Sequence, residues 1–153
     1  MPSFTRSGTL YMGADIDVAG LPAHLADRLD QASASTVDVQ GQRVMFTAGM
    51  FRPVTNWNVL VPFDSGVITV DTTARQVLYE VSCRRLVLLG TSMVCLMTVF
   101  ILFARVWGAI LAMPIMWLWL VGGNLVLGKL RFEGFLGRAI AIAPHVSGPG
   151  QLS

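Results

Sequence analysis

Residues 86–128 contain one charged side chain, Arg105, in a run of more than forty positions. As a single straight helix this run would be about 65 Å long, against a bilayer hydrocarbon thickness of about 30 Å. A charge at mid-bilayer costs several kcal/mol, so Arg105 marks a membrane surface rather than a centre. The pattern therefore predicts a helical hairpin. Its first span covers residues 86–103, its second covers 107–127, and the turn lies at 104–108, with Arg105 snorkelling and Trp107 in the aromatic belt. A re-entrant loop that dips in and returns is the rival geometry, prompted by Pro114 and the Gly122-Gly123 pair. Span length favours crossing, since irregular backbone at membrane depth needs protein cover.

Charge divides the chain in the same place. Residues 1–82 hold five arginines against eight carboxylates, a balance of −3, and residues 83–153 hold six basic groups against one, a balance of +5, summing to the +2 of the whole chain. An acidic domain joined to a basic, apolar one argues against nucleic acid as a partner, because that needs a clustered positive face on the folded domain. The N-terminal stretch lacks the apolar core of a secretory signal, so no cleavage is expected and the first domain should stay in the cytosol. Arg84 and Arg85 precede the first span and Lys129, Arg131 and Arg138 follow the second. The positive-inside rule then places both termini in the cytoplasm, with these five residues at lipid head groups.

The expected fold class is α+β, with a cytosolic domain at 1–82, a hairpin at 83–128 and an interfacial helix with a flexible tail at 129–153. In the first domain the runs TVDVQ, RVMFTAG, WNVLVP, GVITV and QVLYEVS alternate with period two and are separated by turn-like GQ, FDSG and DTTAR. They predict an antiparallel β-meander of four to six strands, with an opening strand near residues 8–16. LPAHLADRLDQA places Leu21, Leu25 and Leu29 on one helical face that would cover the sheet. After the hairpin, LRFEGFLGRAIAIA gathers Phe132, Phe135, Leu136, Ala139, Ile140 and Ala143 within about 140° of arc. That stripe predicts a short amphipathic helix lying flat on the cytoplasmic head groups.

Within the hairpin, Thr91, Cys95 and Thr98 form a small, weakly polar stripe, and Gly108, Ala112 and Gly123 lie near one face of the second span. Asn124 is expected at the depth of Thr91, where it either bonds across the hairpin or reaches interfacial water. Trp117 and Trp119 lie near mid-membrane, and at least one is expected to pack on another helix. These nine residues form the predicted packing and partner face. In the soluble domain, RPVTNW offers Arg52 and Trp57 as contact residues, with turn chemistry and core filling as the alternative. Cys83 and Cys95 are separated by about 18 Å of helix, too far to pair within the chain.

Three motifs resemble chemical sites and fail on a residue identity, on context or on a missing ligand. GNLVLGKL carries most of a phosphate-binding loop, but Leu130 replaces the magnesium-binding hydroxyl and no strand precedes it. DIDVAG opens like a calcium loop, yet Ala19 and Ala26 stand where ligands belong. His24 with Asp27 and Asp30 is the one acid-base cluster, and it lacks a third ligand at a recognisable spacing. The expectation is no catalytic residue, no metal and no cofactor. The chain has a general likeness to small bacterial inner-membrane proteins that pair a cytosolic β-domain with a helical hairpin. The absent chemistry, the small-residue helix faces and the mid-membrane tryptophans lead to the expectation of a non-enzymatic, multi-pass inner-membrane protein that is an accessory, assembly or scaffolding subunit of a larger complex, with a self-assembling pore or lipid-organising scaffold as the alternative. Its expected partners are lipids and either a membrane protein or further copies of itself.

Overall fold

The computed structural model describes residues 4–49, 60, 62–103 and 111–144. Five antiparallel strands form one sheet: β1 (Thr5–Tyr11), β2 (Thr36–Gln40), β3 (Arg43–Thr47), β4 (Ser65–Asp71) and β5 (Gln76–Ser82). Their order is β1-β5-β4-β3-β2, so β2 to β5 are a meander and β1 returns to the free edge of β5. Period-two alternation produces this directly, because every second side chain meets the same cover. Val44, Phe46, Ile68, Val70, Val77, Tyr79 and Val81 are buried on one face. The other face is largely polar. Its row nearest α2 runs Thr5, Ser82, Ser65, Thr47 and Thr36 through successive cross-strand pairs. Gly41, at φ 60°, closes the two-residue β2–β3 turn as primed hairpins require.

Helix α1 (Leu21–Gln31) buries Leu21, Leu25 and Leu29 completely, as the four-residue spacing requires. Pro22 occupies its first turn, where the missing N–H has no helical partner in any case. The opening strand spans Thr5–Tyr11 rather than residues 8–16, because its register with β5 starts at Thr5 opposite Ser82. Ile16 is nevertheless buried in the core. The predicted strand in WNVLVP falls mostly outside the described residues, although Leu60 within it and Phe63 just after it are core residues.

Helix α2 (Arg84–Phe103) follows β5 with only Cys83 between them. A second long helix covers Met113–Ala141, 29 residues. It is built from α3 (Met113–Trp117), a π-helical turn (Leu118–Gly123) and α4 (Asn124–Ala141). Both long helices have the length and apolarity to cross a membrane. They run antiparallel, since Gly90 faces Val121 and Thr91, next along α2, meets Trp117. The predicted turn at 104–108, with Arg105 and Trp107, lies outside the described residues.

The C-terminal amphipathic segment is where the fold departs from the sequence reading. Residues 129–141 are no separate interfacial helix but continue the second long helix away from the hairpin. Phe132, Leu136, Ala139, Ile140 and Ala143 are buried, and their cover is the sheet and α1 rather than head groups. The stripe was sound and its partner was misassigned, because an apolar face records only that it avoids water. The soluble core is thus built from both ends of the chain. His24 Nε2 meets the Ala139 carbonyl at 3.1 Å and joins α1 to the end of α4, while Asp27 and Asp30 of the same predicted cluster are exposed and Asp27 accepts from Gln31 Nε2. Among the described residues no three His, Cys, Asp or Glu side chains gather as a metal-binding group.

A second polar bond joins the sheet to α4. The Tyr79 hydroxyl donates to Glu133 Oε1 at 2.5 Å, and Lys129 Nζ lies 3.7 Å from the same oxygen. The tyrosine ring covers Gly8, where a Cβ would collide with it. Burial raises the Tyr79 pKa above its ordinary value, and the Glu133 carboxylate adds to that through its hydrogen bond and its charge. The folded state therefore holds the phenolic proton more tightly than the unfolded chain, so stability is complete below about pH 10 and declines as pH rises further. Tyr79→Phe is expected to cost about 1 kcal/mol at neutral pH, because Glu133 is partly exposed and recovers water. The same variant should flatten the alkaline loss of stability, as measured by urea titration in detergent at pH 8 and pH 11.

Candidate functional site

The junction between sheet and hairpin concentrates the polar contacts that position one against the other. Leaving β5, Cys83 donates its N–H to the Phe4 carbonyl at 2.9 Å, which ties β1 to the start of α2. The opening amides of α2 need acceptors, and Asp64 supplies one: its Oδ2 accepts the Arg85 N–H at 2.8 Å. Arg85 Nε lies 3.7 Å from Asp64 Oδ1, and its Nη1 donates to the Ala48 carbonyl at 3.2 Å. One arginine thus links the end of β3, the start of β4 and the first turn of α2. On the opposite side α4 comes so close that a Cβ on Gly128 would sit 2.7 Å from Pro62 Cγ. Burial pushes the Cys83 thiol pKa up, with Asp64 adding to the shift and Arg6 opposing it, so this cysteine behaves as an apolar filler.

Inside the hairpin the packing face of α2 is Val87, Gly90 and Val94. Gly90 makes the close approach: a Cβ there would lie 2.6 Å from Val121 Cγ2. Of the predicted stripe, Thr91 borders this face, Cys95 is exposed, and the Thr98 hydroxyl donates back to the Val94 carbonyl at 2.8 Å. Trp117 Nε1 donates to Thr91 Oγ1 at 3.1 Å, while Trp119 stands 80% exposed. One tryptophan therefore packs on the other helix and one does not. Asn124 does not pair with Thr91; its Nδ2 donates to the Leu120 carbonyl at 2.6 Å. The hairpin register is offset by about one turn from the predicted one, which leaves Asn124 near the depth of Val87. Ala112 is exposed, and a Cβ on Gly123 would meet nothing within 4 Å. Gly108, Arg52 and Trp57 lie outside the described residues.

The five basic residues assigned to lipid separate into distinct settings. Arg84 is exposed at the start of α2, Arg85 is held by Asp64, and Lys129 by Glu133. Arg131 is exposed on α4. Arg138 lies nine residues past Lys129 on the same helix, about 14 Å farther from the hairpin, and its Nε donates to the Gly134 carbonyl. That distance separates it from the level of Arg84 and Lys129, with which it was expected to share a head-group layer. Sequence reading missed Gly90, Asp64, Glu133 and Arg6, none of which belongs to a periodic pattern. Compared with known protein families, characterised proteins and solved structures, the chain matches none of them.

Gly90→Leu is expected to separate the two long helices and cost about 2 kcal/mol of hairpin packing, because Val121 is β-branched and has one favoured rotamer in a helix. Val121→Ala alone should cost less. The pair together should recover part of the loss, a non-additivity that steric-trap or SDS-unfolding titrations would read.

Proposed function

We propose that this chain is a non-enzymatic, two-span protein of the bacterial inner membrane, with both termini in the cytoplasm. It acts as an accessory, assembly or scaffolding subunit of a larger membrane complex, joined to that complex through its hairpin and its cytosolic domain. The observation that carries this reading is the uncovered apolar surface of the two long helices. Leu88, Leu89, Met93, Leu96 and Phe100 on α2, and Ile115, Leu118 and Trp119 on the second helix, are all exposed. An apolar surface of this extent calls for lipid or another helix as cover. The polar sheet face next to the membrane leaves the domain a second surface for contact.

The test is purification from native membrane in mild detergent, with crosslinking before extraction. The reading expects a second membrane protein to be captured in a fixed ratio. A monomer with no crosslinked species would end it, and capture of this chain alone would favour the other reading, a self-assembling pore or lipid-organising scaffold. In that alternative the tail helix was to sense anionic lipid, but its apolar face already lies in the protein core. Orientation is read separately by labelling single cysteines at residues 2, 105 and 153 in intact cells. Termini on opposite sides, or residue 105 on the same side as both, would overturn the two-span arrangement.

A further inference from the structure

Where β1, α2 and α4 meet, a cleft of about 180 Å³ is lined by Phe4, Thr5, Arg6, Cys83, Val87 and Leu125. Its position along the chain sets its depth. Val87 lies one turn into α2 beyond Arg84, and Leu125 lies one turn before Lys129, so both face the hydrocarbon side of the exit plane. Arg6 belongs to the strand that leads away from that plane. Apolar walls therefore lie on the lipid side and a guanidinium on the water side.

Arg6 is exposed and makes no hydrogen bond or ion pair with any described residue. The carboxylates nearest the junction are engaged elsewhere, Asp64 with Arg85 and Glu133 with Tyr79 and Lys129. Arg84, next to the lining Cys83, is also exposed and without a described polar partner. Two guanidinium groups that no carboxylate pairs among the described residues, placed at head-group level, attract anions, and the planar fork of arginine matches two phosphate oxygens at once. We propose that the cleft binds an anionic phospholipid, with Arg6 on the phosphate and Phe4, Val87 and Leu125 against the glycerol and first acyl carbons. A free phosphate would leave those three apolar walls unused, which is why the ligand is assigned as a lipid. The assignment rests on the membrane placement proposed above.

Native mass spectrometry of the full chain in mild detergent tests it, with phosphatidylglycerol or phosphatidylcholine added. Phosphatidylglycerol should be retained about tenfold more strongly than phosphatidylcholine, the size expected of one charge-assisted contact. Arg6→Gln should remove that preference, and so should Leu125→Trp, which fills the cleft without changing charge. Arg138→Gln, far from the cleft, should leave it intact. A melt followed by circular dichroism confirms that each variant folds. Unchanged retention in either cleft variant would overturn the site. Displacement of the lipid by equimolar glycerol 3-phosphate would overturn its assignment as a lipid site. Recovery of the chain in the soluble fraction of lysed cells, without detergent, would instead refute the membrane placement itself.

Discussion

A chain ended after Arg131 is expected to lose its folded β-domain, although every strand and α1 remain. Phe132, Leu136 and Ile140 are buried against the sheet and α1, with Ala139 and Ala143 beside them. Burying a large apolar side chain contributes about 1.5–3 kcal/mol, so the three large ones together supply roughly 5–9 kcal/mol. A domain of this size has a net stability of about 5–15 kcal/mol, so the deletion removes most or all of it. Residues 1–82 expressed alone should accordingly aggregate or stay disordered. The same fragment joined through a flexible linker to residues 128–144 should give a dispersed NMR spectrum and a cooperative urea transition. A cooperative transition in the 1–82 fragment by itself would refute this account of the core.

How much of this was legible in the sequence depended on whether a pattern named its own partner. For Leu21, Leu25 and Leu29 the sheet was the one apolar layer available in the first domain, and they are buried in a core that the sheet shares with α4. The runs of alternating residues became strands because one buried face fixes the register, a one-residue slip turning every core residue to solvent. The stripe from Phe132 to Ala143 had two possible covers, lipid and sheet, and both are apolar. Hydrophobic periodicity does not distinguish them. Junction residues were invisible for a different reason. Asp64, Arg85, Tyr79 and Glu133 act through contacts between residues 21 to 54 positions apart, which no local window contains. The Gly90–Val121 approach required the hairpin register, and the π-helical turn at Leu118–Gly123 changes the residue count per turn just where that register is set.

Phe132→Ala should be the most destabilising single substitution in the chain, at about 3–5 kcal/mol. The side chain is fully buried, and its ring centroid lies 5.2 Å from Phe63, 5.3 Å from Tyr79 and 6.0 Å from Phe46. Two of the three contacts are edge-on, the geometry in which the positive rim of one ring meets the negative face of another. Truncation would leave a cavity among rings fixed by two strands and by the segment after Leu60, elements that cannot close on it without breaking the sheet register. Phe135, one of its neighbours at 6.4 Å, is only half-buried and should cost markedly less. Urea unfolding of the two variants in detergent separates the possible roles of this helix. If the segment packed on head groups, both substitutions would weaken membrane association and spare the domain. If it is the core element described here, Phe132→Ala alone should bring the transition close to zero denaturant while the hairpin stays inserted. Because Phe132 sits three residues past Lys129 on the second long helix, the same substitution should also release the domain from the orientation the hairpin imposes.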